Sequence, residues 1–103
     1  MSYRGHAPAS RAFEKDMKVI LAPNRWCYYD YDQEEIKDIP ANHHLFITLR
    51  KAYTYDYMQY LNKDVAHKAD DFLLGIQACV WGEYIPDAPK LHTQTYPRSA
   101  TIA

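Results

Sequence analysis

Apolar positions along the chain change their period several times, and each change predicts an element. Between residues 8 and 16, Ala9, Ala12 and Phe13 share one helical face, which predicts a short amphipathic helix. Val19, Ile20, Leu21 and Ala22 then run without polar interruption up to Pro23, the pattern of a parallel strand covered on both faces. Residues 33–44 are polar and broken by Pro40, which suggests a loop or short helix, and residues 45–57 fit neither period and read as irregular. Met58, Leu61, Val65 and Ala69 recur at helical spacing and predict a helix over 58–71. Residues 73–84 alternate, with Leu74, Ile76, Ala78 and Val80 on one side and Gly75, Gln77, Cys79, Trp81 and Glu83 on the other, so a second strand is expected there. Beyond the turn at Pro86 to Pro89, residues 91–103 suggest a closing helix that restarts at Pro97. An order of helix, strand, connection, strand, helix describes a slice of an α/β barrel.

Two clusters carry the candidate chemistry. Trp26, Tyr28, Tyr29 and Tyr31 crowd around Asp30 just after the first strand, and Trp81-Gly82-Glu83 ends the second. Aromatics and carboxylates at the C-terminal ends of neighbouring parallel strands suggest a ligand site. In each cluster an aromatic and a carboxylate stand at i and i+2, so strand geometry puts Tyr28 with Asp30, and Trp81 with Glu83, on one face. An indole beside carboxylates suits a sugar, because its ring can face a pyranose while the carboxylates accept hydroxyl hydrogen bonds worth about 1.5–3 kcal/mol each. The same residues have plainer readings. Trp81 fits core packing, Asp30 a helix cap, and Glu83 an ion pair with Arg98 or Arg25; Gln77 and Cys79 read as interior fillers.

Composition narrows the field. Twelve basic and thirteen acidic residues leave a net charge of -1 and no basic stripe, so nucleic acid is not an expected partner. The longest apolar run, Phe72 to Ile76, is too short to span a bilayer, and the first residues show no secretory signal, so no membrane association is expected. Cys27 and Cys79 form no CxxC pair and read as buried free thiols; the scattered histidines suggest no metal site, and no cofactor is called for. Ten tyrosines, amphipathic residues that favour binding surfaces, keep a ligand-binding role in view.

The ordered motifs resemble the family 20 glycoside hydrolases, the β-N-acetylhexosaminidases. That family has a strand ending in Pro followed by Tyr-x-Asp, and later a Gly-x-Gln-Ala-x-x-Trp-x-Glu-Tyr strand. Here the counterparts are Pro23, Tyr28-Tyr29-Asp30 and Gly75-Ile76-Gln77-Ala78-Cys79-Val80-Trp81-Gly82-Glu83-Tyr84. Arg4-Gly5, the stretch from Thr48-Leu49 to Tyr53-Thr54-Tyr55-Asp56, and Tyr96-Pro97-Arg98 agree as well, so the resemblance covers nearly the whole chain. Asp56-Tyr57 departs from the Asp-Pro common in the family, and Ser99 and Thr101 make the last helix more polar than usual, which calls its packing into question.

The resemblance implies a partial (β/α)8 TIM barrel, its last two strands and flanking helices, not closed on its own, with residues 1–103 a C-terminal fragment of the catalytic domain. In the family, retaining catalysis is substrate-assisted: the 2-acetamido oxygen attacks the anomeric carbon. By that likeness Tyr28 aligns the acetamido group and is the catalytic residue, Asp30 and Glu83 bind sugar hydroxyls, and Trp81 walls the acetamido pocket. The general acid belongs to an upstream His-x-Gly-Gly-Asp-Glu motif, and this sequence has no Asp-Glu dipeptide, so the chain alone is expected to be inactive. The implied partners are N-acetylhexosamine-containing glycans, and exposed sheet edges would favour self-association. Alternatives are a stand-alone carbohydrate-binding or scaffold protein and a non-functional remnant. Family members are often secreted, periplasmic or lysosomal; compartment and gluco versus galacto preference stay open.

Overall fold

The computed structural model describes residues 1–34 and 45–102, with the Tyr84 side chain left aside. The loop or short helix read over 33–44 therefore lies mostly outside the described residues. In chain order the elements are α1 (Ala7–Glu14), β1 (Val19–Leu21), α2 (Asn24–Cys27), α3 (Leu49–Tyr53), α4 (Ala69–Phe72), β2 (Leu73–Ile76) and α5 (Ala88–Thr95), with 3₁₀ turns between several of them. The fold is thus mixed helix and strand with an open sheet. It divides into two compact units, one of Met1–Asn24 and Asp56–Gln77, the other of Arg25–Tyr55 and Ala78–Ala103.

In the first unit, α1 begins with a proline in its opening turn and buries Ala9, Ser10 and Phe13. It stops where Asp16 takes φ 54°, a left-handed conformation that short polar residues tolerate, and where Met17 N–H returns to the Ala12 carbonyl at 2.9 Å. Lys68 holds that end, donating to the Phe13 carbonyl at 3.1 Å and to the Asp16 carboxylate at 2.6 Å. β1 pairs in parallel with β2 on one side and with Ser2 on the other. The apolar run is thus a strand paired on both edges: Val19 and Leu21 face the core, while Ile20 on the other face is only partly buried, so the expected cover on both faces is incomplete in this chain. Phe13, Leu21, Leu61, Val65 and Ala69 form the centre of this core with Leu73 and Ile76 against it, each large side chain contributing roughly 1.5–3 kcal/mol on burial.

Two expected elements take a different form. The helix read over 58–71 is broken into a 3₁₀ turn at Tyr57–Tyr60, another at Ala66–Lys68 and the single turn α4. Local side-chain bonds compete with the helix: Asp56 accepts from Met58 N–H, Asn62 accepts from Asp64 N–H at 3.1 Å, and Ser10 Oγ captures Asn62 N–H at 3.0 Å. Leu61, Val65 and Ala69 still face the core, so the helical spacing marks burial correctly without a continuous helix.

The strand read over 73–84 ends at Ile76. Its register slips by one residue, Val19 pairing with Leu73 but Ile20 with Gly75, which makes Leu74 the extra residue of a β-bulge. Gly75 takes φ 153°, where a side chain would be strained. The bulge inverts the alternation at this point: Leu73 and Ile76 both pack on the core, whereas Leu74, expected inside, is 61% exposed.

In the second unit, Tyr28 lies opposite Cys79 in a parallel bridge closed by Cys79 N–H to the Cys27 carbonyl and Tyr29 N–H to the Cys79 carbonyl, both 2.8 Å. The stretch read as irregular contains α3, whose N-cap Thr48 accepts from Lys51 N–H at 3.0 Å. At five residues it is too short to show an apolar period. The closing helix starts at Ala88 rather than 91, because Asp87 caps it and Pro89 sits in its first turn. It ends before Pro97, and a 3₁₀ turn at Arg98–Thr101 follows, the restart expected there. The apolar centre is small: Tyr29, Ile47 and Ala52, with Ala78, Val80 and Ile102 against them. Thr101, expected to weaken this packing, instead meets the buried Tyr29 hydroxyl at 3.1 Å.

Candidate functional site

The segment from Cys27 to Asp32 carries most of the second unit's candidate residues, and its backbone is held at every carbonyl. Cys27 O accepts from Cys79 N–H, Tyr28 O from Tyr31 N–H, and Asp32 O from Ile47 N–H. The other three are taken by side chains: Arg98 donates to Tyr29 O at 2.6 Å and Tyr31 O at 2.8 Å, and Gln94 to Asp30 O at 3.2 Å. Lys90 and Gln94 then grip the Asp32 carboxylate at 2.9 and 3.0 Å. Lys90 and Gln94 stand one turn apart on α5, and Arg98 follows in the 3₁₀ turn beyond its end, so all three reach this segment.

Arg98 organises the arrangement. It is fully buried, at 0% exposure, and lies over the Tyr29 ring at 4.9 Å. Besides the two loop carbonyls it donates to Ile47 O at 2.9 Å and to Gln94 O from both Nε and Nη2. Burial pushes its guanidinium down to about 10, with Tyr29, Asp30 and Asp32 opposing that fall, and it remains a cation at neutral pH.

On this framework Tyr28 is half-buried, its ring 6.0 Å from Trp81 and 5.9 Å from Tyr31. Burial, helped by Cys79, pushes its phenol upward, so the hydroxyl keeps its proton for donation at neutral pH. Asp30 is buried, at 7% exposure. Trp81 is half exposed in extended backbone, and Glu83 is exposed within the 3₁₀ turn Gly82–Tyr84. Tyr28 and Trp81 are thus brought together. The strand-period argument that put Trp81 and Glu83 on one face does not hold, because the backbone has left the extended form at Gly82.

The plainer readings change as well. Among the described residues no helix follows Asp30 before α3, and the Arg98 donors proposed for Glu83 are all given to carbonyls. Of the two expected fillers, Cys79 is buried and Gln77 is exposed. Burial and the neighbouring Cys79 push the Cys27 thiol up to about 12, and burial together with Asp30 raises Cys79, so both remain protonated. Among the described residues no group of three or more His, Cys, Asp and Glu is placed to hold a metal ion, and no helix is long and apolar enough to cross a membrane.

Lys90 and Gln94 escape a reading of the sequence that looks for reactive groups, and Arg98 is noticed there as an ion-pair candidate and within the Tyr96-Pro97-Arg98 motif, not as the group that holds this loop. The available signal was the spacing of four between Lys90 and Gln94 on a helix, with Arg98 just beyond it.

A family model described as glycosyl hydrolase family 20, catalytic domain, matches residues 1–103. Among solved structures, the chain is similar to a β-N-acetylhexosaminidase at 27% identity and a TM-score of 0.70, over 94% of this chain and 20% of that one. It is also similar in fold to a GH20 exo-β-N-acetylglucosaminidase from Vibrio harveyi, crystallised in complex with N-acetylglucosamine, at 23% identity and a TM-score of 0.77, over 98% of this chain and 16% of that one. The chain therefore spans about a fifth or less of the length of either relative.

Proposed function

We propose, since this chain belongs to glycosyl hydrolase family 20, that it forms the C-terminal part of the family's catalytic barrel and supplies one side of an N-acetylhexosamine site. Its β1 and β2 are then the last two barrel strands, and Tyr28, Asp30, Trp81 and Glu83 are the sugar-facing groups. The observation that carries this reading is the meeting of Tyr28 and Trp81, an un-ionised phenol and a half-exposed indole with ring centres 6.0 Å apart. A phenol O–H donates to an acetamido oxygen while an indole face covers the acetamido methyl group, so the pair distinguishes an N-acetyl sugar from a plain hexose.

In the whole enzyme the acetamido oxygen is the nucleophile, so the Tyr28 hydroxyl acts by holding that oxygen in line with the anomeric carbon. Asp30 and Glu83 accept hydroxyl hydrogen bonds from the same ring. The relative crystallised with N-acetylglucosamine supports this ligand class. Self-association, where it occurs, uses the edge of β2 that carries the exposed Leu74.

Titration of the isotope-labelled chain with N-acetylglucosamine tests the proposal. Progressive shifts at the Tyr28 and Trp81 ring signals are expected in the millimolar range, the affinity of a partial site with few contacts. Signals that stay put at tens of millimolar would overturn it.

A further inference from the structure

We infer that Arg98 is a positioning residue for the proposed sugar site: its guanidinium fixes the Tyr29 and Tyr31 carbonyls, one residue before and one after Asp30, and so sets where Tyr28 and Asp30 present their side chains. The ligand in this inference rests on the reading just given, whereas the geometry does not. A guanidinium has five N–H donors. Here Nε goes to Gln94 O, Nη1 to Tyr31 O and Ile47 O, and Nη2 to Tyr29 O and Gln94 O. All five donors are therefore given to main-chain carbonyls, and among the described residues no carboxylate forms an ion pair with Arg98.

An apolar side chain would fill this space without the cost of desolvating a cation. What it would not do is join three separate stretches of backbone. Tyr29 and Tyr31 come from the candidate loop, Ile47 from the entry to α3, and Gln94 from α5. Because the carbonyls of Tyr29 and Tyr31 are both bound, rotation of the intervening Asp30 backbone would break at least one bond to a charged donor. Lysine carries three donors on one nitrogen and cannot reach this spread of acceptors in place of a planar fork.

The test uses the 103-residue chain with Arg98→Ala and with Arg98→Lys, and reads the Tyr28 and Trp81 ring signals, the Leu21 and Val65 methyl signals of the other unit, and N-acetylglucosamine affinity. In Arg98→Ala the ring signals move, the methyl signals do not, and affinity falls at least about tenfold. Ethylguanidinium added to this variant restores the ring signals and affinity, and ethylammonium at the same concentration does not. Arg98→Lys keeps the methyl signals but not the wild-type ring signals, which decides the matter should the alanine variant fail to fold. Wild-type ring signals in either folded variant, or equal rescue by both cations, overturns the inference. Should the wild-type chain not respond to the sugar, the binding proposal fails, and the ring signals with their selective rescue still decide the role of Arg98.

Discussion

Incubated with a chromogenic N-acetylglucosaminide, the 103-residue chain releases no chromophore above background. Departure of an alkoxide from a glycoside is assisted by a proton delivered in the transition state, and a positioned acid contributes about 10²- to 10⁴-fold, least for an activated phenoxide. The sequence contains no Asp-Glu dipeptide, the pair whose second member carries that proton in the family the chain resembles. Among the groups on the candidate rim, the Tyr28 phenol is pushed above its ordinary value, which makes it a poorer acid still. Lost acid catalysis adds to an incomplete pocket, so the deficit against a complete enzyme exceeds the contribution of the acid alone. The check is an assay on material freed of host hexosaminidase; turnover that copurifies with the chain through successive columns refutes the expectation.

Arg98→Met costs the fold on the order of 3–5 kcal/mol. Methionine fills much of the volume but donates nothing, so the carbonyls of Tyr29, Tyr31, Ile47 and Gln94 lose the partner that Arg98 provides. Each buried carbonyl left unpaired costs roughly 1–3 kcal/mol, and the terms do not add because the loop relaxes once the first is lost. The loss is a large part of the stability a chain of this size can have. A urea titration followed by tyrosine fluorescence reads it as a fall in midpoint. A midpoint within experimental scatter of wild type would show that the guanidinium organises nothing.

Much of this architecture is legible in the sequence because burial itself has a period. Val19 and Leu21 within the apolar run, and the spacing of Leu61, Val65 and Ala69, mark residues that face the core of the first unit. What the pattern does not reveal is backbone detail decided by single hydrogen bonds. Asn62 and Ser10 break a helix that hydrophobic spacing alone would continue. A bulge at Leu74 reverses a face because side-chain direction has period two, and one inserted residue is half a period.

The site divides along the same line. Tyr28 and Trp81 are identifiable as a pair, since an aromatic next to a carboxylate after each strand is a local signal. Glu83 follows a turn that strand reasoning does not foresee, and the three residues that hold the loop, Lys90, Gln94 and Arg98, lie about sixty residues away in sequence. Only the fold brings them there.

Under the proposed function the Tyr28 hydroxyl holds the acetamido group of an N-acetylhexosamine. The most direct measurement compares Tyr28→Phe with wild type in titrations with N-acetylglucosamine and with glucose, following the Trp81 ring signal. Loss of one hydrogen bond to an uncharged acceptor predicts a threefold to tenfold weaker response to N-acetylglucosamine, about 0.5–1.5 kcal/mol, and no change in the response to glucose. Equal weakening toward both sugars, or none toward either, would contradict the claim.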